Sequence, residues 1–295
     1  MRDRLFNLAQ QEQREFNLVL TAYATERLLF RIGQSDCAEQ FVLKGARLFA
    51  LWSGQQHRPT RDLDLLGFGD PAPASLRHVF HMLCRIACED GLTFDENSVS
   101  VEDIRAEQEY GGQRVKLIAR LDKARIPLQV DIGFGDAVTP PAELLDYTSL
   151  LKDMPAPRVR AYPRETVIAE KLHAMVVLDT MNTRMKDFYD LWTLGRQFAF
   201  DGPTLQAAIH ATFARRKTPV PAELPVCLLP PFAEDEKRQQ LWKAFLNRSG
   251  IQNPDCAEFP SVIEYLRAFT GPALVAVGNE GIAPPTVWTP DCGWQ

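Results

Sequence analysis

Residues 41–70 read FVLKGARLFALWSGQQHRPTRDLDLLGFGD and hold two carboxylates, Asp62 and Asp64, two positions apart in an apolar run. In a β-strand successive side chains point to opposite faces, so this spacing puts Asp62 and Asp64 on one face and Leu63 and Leu65 on the other. Two acids on one face can share a hard cation such as magnesium. That ion takes oxygen ligands and completes its octahedron with water or substrate phosphate, which suits a nucleoside triphosphate. The same D-x-D also reads as the charged face of an exposed strand. Upstream, the apolar Phe41 to Leu43 is followed by Lys44-Gly45-Ala46 and then by Leu48 to Trp52. The pattern predicts a short element, a tight turn and a helix. Gly45 would let backbone approach a ligand closely.

A third acid lies in residues 126–135, IPLQVDIGFG, where Leu128, Val130 and Ile132 alternate with Gln129, Asp131 and Gly133. Asp131 therefore falls on the polar face of a second predicted strand. It completes the acid set if that strand neighbours the one carrying Asp62 and Asp64. Both runs end in the string GFGD, at Gly67 to Asp70 and at Gly133 to Asp136, which we read as two similar strand exits. The chain has no G-x-x-x-x-G-K-[ST] and no G-x-G-x-x-G opening a helix. This argues against a P-loop ATPase and a dinucleotide-binding fold.

Taken together, FVLKGARLFALW, RPTRDLDLLGFGD, LQVDIGFGD, ETVIAEKLHAM and NTRMKDFYDLW, spanning about residues 41–195, resemble the nucleotidyltransferase AbiEii/AbiGii toxin family. That family is a branch of the polymerase-β-like nucleotidyltransferase superfamily. The resemblance implies an α+β fold: a nucleotidyltransferase-type mixed sheet with flanking helices, followed by a mostly helical C-terminal domain. It implies transfer of a nucleoside monophosphate from an NTP with Mg2+ or Mn2+ held by Asp62, Asp64 and Asp131. It assigns phosphate binding to Lys171 of the E-K-x-x-A motif; Lys44 and Gly45 at the first turn are further candidates for holding the nucleotide, and Arg61 beside Asp62 for neutralising the departing pyrophosphate with Lys171. Asp131 is the expected base, by analogy with the superfamily. Asp187 is the best match to the family's later aspartate, with Asp190 three residues on as the competing choice. One departure stands out: many members carry G-G-T or G-S after the lysine, whereas this chain reads Gly45-Ala46-Arg47 and lacks that hydroxyl.

The resemblance further implies the toxin of a bacterial toxin–antitoxin or phage-defence pair, with an antitoxin as partner and an acceptor such as the tRNA 3′ end. Modification of a small molecule such as an antibiotic is the alternative within the enzyme class. A nucleotide-binding protein with degenerate catalysis is the alternative outside it.

Composition sets outer bounds. At 295 residues, 45% apolar and 24% charged, the chain can bury the core of one or two globular domains. It has no run of about 20 apolar residues that would span a bilayer, and its N-terminus lacks the apolar core of a signal peptide, so a cytoplasmic protein is expected. Six cysteines without a C-x-x-C pair argue against a zinc ribbon. His78, His81, Cys84 and Cys88 fall along one predicted helix, Ala74 to Asp90, and are better read as core packing than as a zinc site. A net charge of −5 gives no global attraction for nucleic acid. Local basic clusters could still supply one: Arg114, Lys116, Arg120, Lys123 and Arg125; Arg158, Arg160 and Arg164; Arg215, Arg216 and Lys217.

The expected division is a nucleotidyltransferase core with an N-terminal helical segment over 1–156, a helical domain over 157–270, and an extended or disordered Gly/Pro-rich tail over 271–295. Within the core, Ser98 to Ile104 and Gln113 to Leu121 read as extended, with Gly111-Gly112 marking a hairpin turn. The Pro-rich Met154 to Pro163 reads as a linker. Helices are expected over Arg164 to Gln197, Thr204 to Arg216 and Asp235 to Arg248, with a proline-rich loop over Pro219 to Pro231.

Overall fold

The structure, a computed structural model, describes residues 1–54, 57–104, 111–279, 282–283 and 285–295. The chain divides into two compact units, Met1–Asp136 with Ala142–Tyr162, and Ala137–Pro141 with Pro163–Gln295.

In the first unit, α1 (Arg2–Gln11) and α2 (Phe16–Gly33) precede β1 (Phe41–Lys44), α3 (Leu48–Ser53), β2 (Leu63–Gly67) and α4 (Pro73–Arg85). Then come β3 (Leu92–Ile104), β4 (Gly112–Leu121), β5 (Ala124–Phe134), β6 (Glu143–Asp146) and β7 (Arg158–Ala161). These form one seven-stranded mixed sheet in the order β3-β4-β5-β2-β1-β7-β6. β2 lies parallel to β5 and antiparallel to β1, while β1 lies parallel to β7. Period-2 alternation explains the strands: Val115, Leu117, Val130, Ile132, Leu63 and Leu65 are buried, each 4% exposed or less, while the residues between them carry the polar groups. This is the expected α+β class.

A row of buried charge fixes α2 within this unit. Arg31 grips Asp90 at 2.5 and 3.2 Å, Arg27 donates to the Pro155 carbonyl, and Glu26 accepts from the Leu150 amide. Burial pushes the Glu26 carboxyl up, opposed by the Leu150 amide and by Arg27. Charges withdrawn from water this fully persist only when paired, and these pairings tie one helix to two distant segments.

Several expectations are corrected. The Met154 to Pro163 linker contains β7, an internal strand of the sheet, because the R-V-R-A alternation buries Val159 and Ala161 between β1 and β6. The first unit accordingly reaches Tyr162 rather than residue 156. The helix expected to Asp90 stops at Arg85, where Ile86 turns extended. Cys88 is therefore off the helix, His78 is exposed, and His81 and Cys84 are only half-buried. Leu76, Phe80 and Leu83 supply the core side of α4 instead, so the His/Cys stripe is not core packing. β3 and β4 pair as a hairpin, but Gly112 is the first residue of β4, opposite Ile104, rather than part of the turn, and residues 105–110 lie outside the described residues.

The second unit is helical: α5 (Arg164–Leu178), α6 (Met185–Gln197), α7 (Gly202–Arg215), α8 (Pro230–Ala233), α9 (Glu236–Ser249) and α10 (Phe259–Gly278). The helical stretch expected over Arg164 to Gln197 forms two helices, α5 and α6, interrupted after Leu178 at Asp179, whose φ is +39°. The chain from residue 271 is not an extended tail. α10 runs through Gly271-Pro272 to Gly278, since burial of Ala273 and Leu274 offsets the missing proline N–H. Beyond it β9 (Val287–Thr289) pairs with β8 (Phe200–Asp201) and β10 (Gly293–Trp294) in a small sheet. Trp288 is 3% exposed, donates to the Gly195 carbonyl at 2.9 Å and packs against Phe269 and Tyr265.

Trp288→Ala should therefore lower unfolding stability by about 3–5 kcal/mol in urea titration. An unchanged midpoint would mean that the C-terminal strands do not belong to the folded core.

Candidate active site

The first unit's site is built by strand register. Lys44 on β1 stands opposite Asp64 on β2, Asp64 opposite Asp131 on β5, and Asp131 opposite Arg114 on β4. Residues in register share a face, so four adjacent strands present a row of base, acid, acid, base. Asp62 stands two residues before Asp64, just outside the strand, which begins at Leu63. The alternation put Asp131 on the polar face of its strand, and the parallel pairing of β2 with β5 brings it beside Asp64.

Each position is locked by a neighbour. Gly45 has φ +76°, and a Cβ there would collide with the Asp64 carboxylate. The turn needs glycine for its backbone and for the space that Asp64 fills. Arg47, only 4% exposed, donates to the Asp62 carbonyl at 3.2 Å, the Arg61 carbonyl at 3.4 Å and Thr25 Oγ1 at 3.2 Å. The Gly45-Ala46-Arg47 departure therefore puts a buried guanidinium under the backbone that carries Asp62. An arginine inside the apolar run ARLFALW was the sequence signal for it. Arg61 itself is exposed.

Asp131 accepts a two-pronged bond from Arg114, Nε to Oδ1 and Nη2 to Oδ2, both 2.8 Å. Gln129 Nε2 also reaches its two oxygens, at 3.2 and 3.4 Å. The Asp131 bond, with the charges of Asp131, Asp62 and Glu102, raises the pKa of Arg114 above its ordinary value. Lys44 Nζ donates to Asp136 Oδ2 at 2.6 Å, and the Tyr162 hydroxyl donates to the same oxygen at 3.2 Å. Sequence reading overlooked Asp136. Its GFGD counterpart Asp70 does something else, accepting from the Ala72 amide and from Ser75 at the start of α4.

The donor set consists of hard carboxylate oxygens, which fit magnesium or manganese with substrate oxygens completing the shell. Among the described residues, no three Asp, Glu, His or Cys side chains are grouped to enclose an ion by themselves. Asp62 and Asp64 can offer a pair, and Asp131 is turned onto Arg114 and Gln129.

The second unit holds its own network. Lys171 Nζ on α5 lies 2.7 Å from both Asp187 Oδ1 and Asp190 Oδ2 on α6, and Arg184 Nε lies 3.1 Å from Asp187 Oδ2. Asp187 and Asp190 are 5% and 1% exposed. Sequence reading left open which aspartate matters; Lys171 binds both. Nearby, burial and then the charge of Arg216 depress the His173 pKa to about 4, and its ring bonds Thr218 at 2.9 Å.

Of the basic clusters, Arg114, Lys116 and Arg120 share one face of β4, with Arg125 opposite Arg120 on β5. Lys116 and Arg120 are ion-paired there with Glu102 and Asp95.

A mixed sheet that aligns two acids between two bases beside a glycine turn defines an α+β protein with a charged row across four adjacent strands. Residues 27–268 match the family model "Nucleotidyl transferase AbiEii toxin, Type IV TA system", and the chain belongs to that family. It is accordingly a nucleotidyltransferase of type IV toxin–antitoxin systems. Among curated proteins none matches the chain. Two solved structures from Helicobacter pylori resemble it. One is JHP933, with 14% identity, 87% of this chain and 90% of that chain covered, and a TM-score of 0.46. The other, provisionally described as a nucleotidyltransferase, has 14% identity, coverage of 85% and 91%, and a TM-score of 0.44. No helix among the described residues is long and apolar enough to cross a membrane.

Two expectations follow from these contacts. Gly45→Ala should destabilise the protein by about 1–2 kcal/mol through the left-handed backbone alone, more with the displaced Asp64, as read by denaturant unfolding. Lys171→Met should cost about 3 kcal/mol, because it leaves Asp190 buried without its lysine. A Lys171→Met variant as stable as the unmodified protein would show that this network does not hold α5 to α6.

Proposed function

We propose that this chain is a metal-dependent nucleotidyltransferase toxin that moves a nucleoside monophosphate from an NTP to a hydroxyl acceptor, the tRNA 3′ end being the acceptor implied by its family. The observation carrying this reading is the register Lys44–Asp64–Asp131–Arg114, which puts Asp64 of the D-x-D motif on β2 side by side with Asp131 on β5.

Asp62 and Asp64 are the residues that would hold Mg2+ or Mn2+, with Asp131 sharing in a second ion. Such an ion, when bound, supplies charge stabilisation at the α-phosphate and at the attacking and leaving oxygens. By analogy with the superfamily, Asp131 would be the base that takes the proton of the acceptor hydroxyl as pyrophosphate leaves. Lys44 and Gly45 would grip the triphosphate at the first turn, and Arg61 beside Asp62 would neutralise the pyrophosphate that leaves. Lys171 would meet phosphate as well, and to do so it must give up part of its bonding to Asp187 and Asp190. Chemistry of this kind needs positioning and charge compensation rather than a nucleophilic Ser or Cys. We place the activity in the cytoplasm, under control of an antitoxin and in the service of phage defence.

The test is incubation of the protein with Mg2+, each α-labelled NTP and total bacterial tRNA. Asp64→Asn should reduce label transfer by at least about a hundredfold while the protein stays folded. Full transfer by Asp64→Asn would sink the assignment. No transfer to tRNA by the unmodified protein would reject tRNA and turn the search to small-molecule acceptors.

A further inference from the structure

We propose that Arg114 is a built-in competitor for the cation at Asp131, so that a second divalent ion binds only when Arg114 withdraws. This rests on the metal-dependent reading above and extends it to the regulation of that site.

The argument begins with valence. An ionised carboxylate offers about four lone-pair positions on two oxygens. At Asp131 both oxygens take a guanidinium bond of 2.8 Å, and the Gln129 amide approaches both as well. This carboxylate already carries a cation, bound in the forked geometry that makes arginine–carboxylate pairs directional. The register makes the pairing hard to avoid: Arg114 is the residue directly opposite Asp131 on β4, as Asp64 is on β2. Asp131 thus stands between a neighbour of its own charge, with which it could share an ion, and a neighbour of opposite charge, which takes that ion's place.

The two cations are not equivalent. A guanidinium brings one charge and donates hydrogen bonds, so it cannot gather oxygen ligands from substrate as a divalent ion does. The exchange is also accessible. Arg114 and Asp131 side chains are 33% and 21% exposed, so the guanidinium can leave to solvent or to another anion without a buried charge being stranded. A triphosphate offers the same fork of oxygens in greater number, so nucleotide binding would draw Arg114 away and free Asp131 at the moment a second ion and a base are needed.

The experiment is Mn2+ titration of the whole chain, with free ion counted by electron paramagnetic resonance, for the unmodified protein and for Arg114→Gln, Arg114→Lys and Lys116→Gln. Lys116 removes the same charge from the same face of β4, two residues along, without touching Asp131 in the register. The unmodified protein should bind one ion readily and a second weakly. Arg114→Gln should tighten the second by about tenfold, Arg114→Lys should do so to a smaller degree, and Lys116→Gln should shift it by less than about twofold. An unchanged second site in Arg114→Gln, equal tightening by Lys116→Gln, or a single ion in every variant would overturn the competition while leaving the Asp62–Asp64 site standing. Absence of any bound Mn2+ in variants with unaltered melting temperature would instead overturn the metal-dependent reading, and the competition with it.

Discussion

The first unit is organised around a repulsion. Asp64 and Asp131 lie directly opposite each other on parallel neighbouring strands, where backbones run about 5 Å apart. Like charges so placed are unfavourable unless cations meet them. The sheet supplies these from its next strands outward, Lys44 on one side and Arg114 on the other. Four consecutive strands are therefore committed to one electrostatic problem, and the apolar alternation on their other face holds them in the register that solves it. Slipping any of these strands by one residue would turn its charged residue into the core.

Keeping the register is not enough, because Asp62 stands before the strand and relies on other support. Arg47 supplies it by bonding the Arg61 and Asp62 carbonyls, and its contact with Thr25 ties that segment to α2. α2 is in turn held by Arg27 and Arg31 to the 155 and 90 regions. A buried guanidinium is costly alone and directional once bonded, so this polar path gives the acid-bearing segment a defined position that apolar packing would leave looser.

How much of this was legible in the sequence follows the range of the physics involved. Period-2 alternation is local, so Asp64 and Asp131 could be placed on the polar faces of strands, and the D-x-D and E-K-x-x-A strings carried the family. What decided their partners is not local. That Asp131 meets Arg114, that Lys44 meets Asp136, or that Arg47 reaches under Asp62 depends on strand order and register, which no window of the sequence contains. The same reason explains the misread Met154 to Pro163 stretch. Prolines on either side of R-V-R-A suggest a linker, and only the partners β1 and β6 make it a strand. At the C-terminus Gly271-Pro272 carries a local stop signal, which burial of Ala273, Leu274 and the ring of Trp288 outweighs.

The two units meet the problem of adjacent aspartates differently, and the difference bears on chemistry. Asp187 and Asp190 are almost wholly buried and share one ammonium, that of Lys171, which lies 2.7 Å from each. In so dry a setting the lysine is strongly held, and any phosphate must compete with two carboxylates for it. Asp64 and Asp131 are partly exposed, and their cations approach from the outer strands rather than from between them. That arrangement sets a cation across the register from each acid, in side chains that solvent can reach. A network closed around its own lysine favours one fixed geometry, whereas an acid pair flanked at its edges can exchange partners, and exchange of partners is what nucleotide binding and release require.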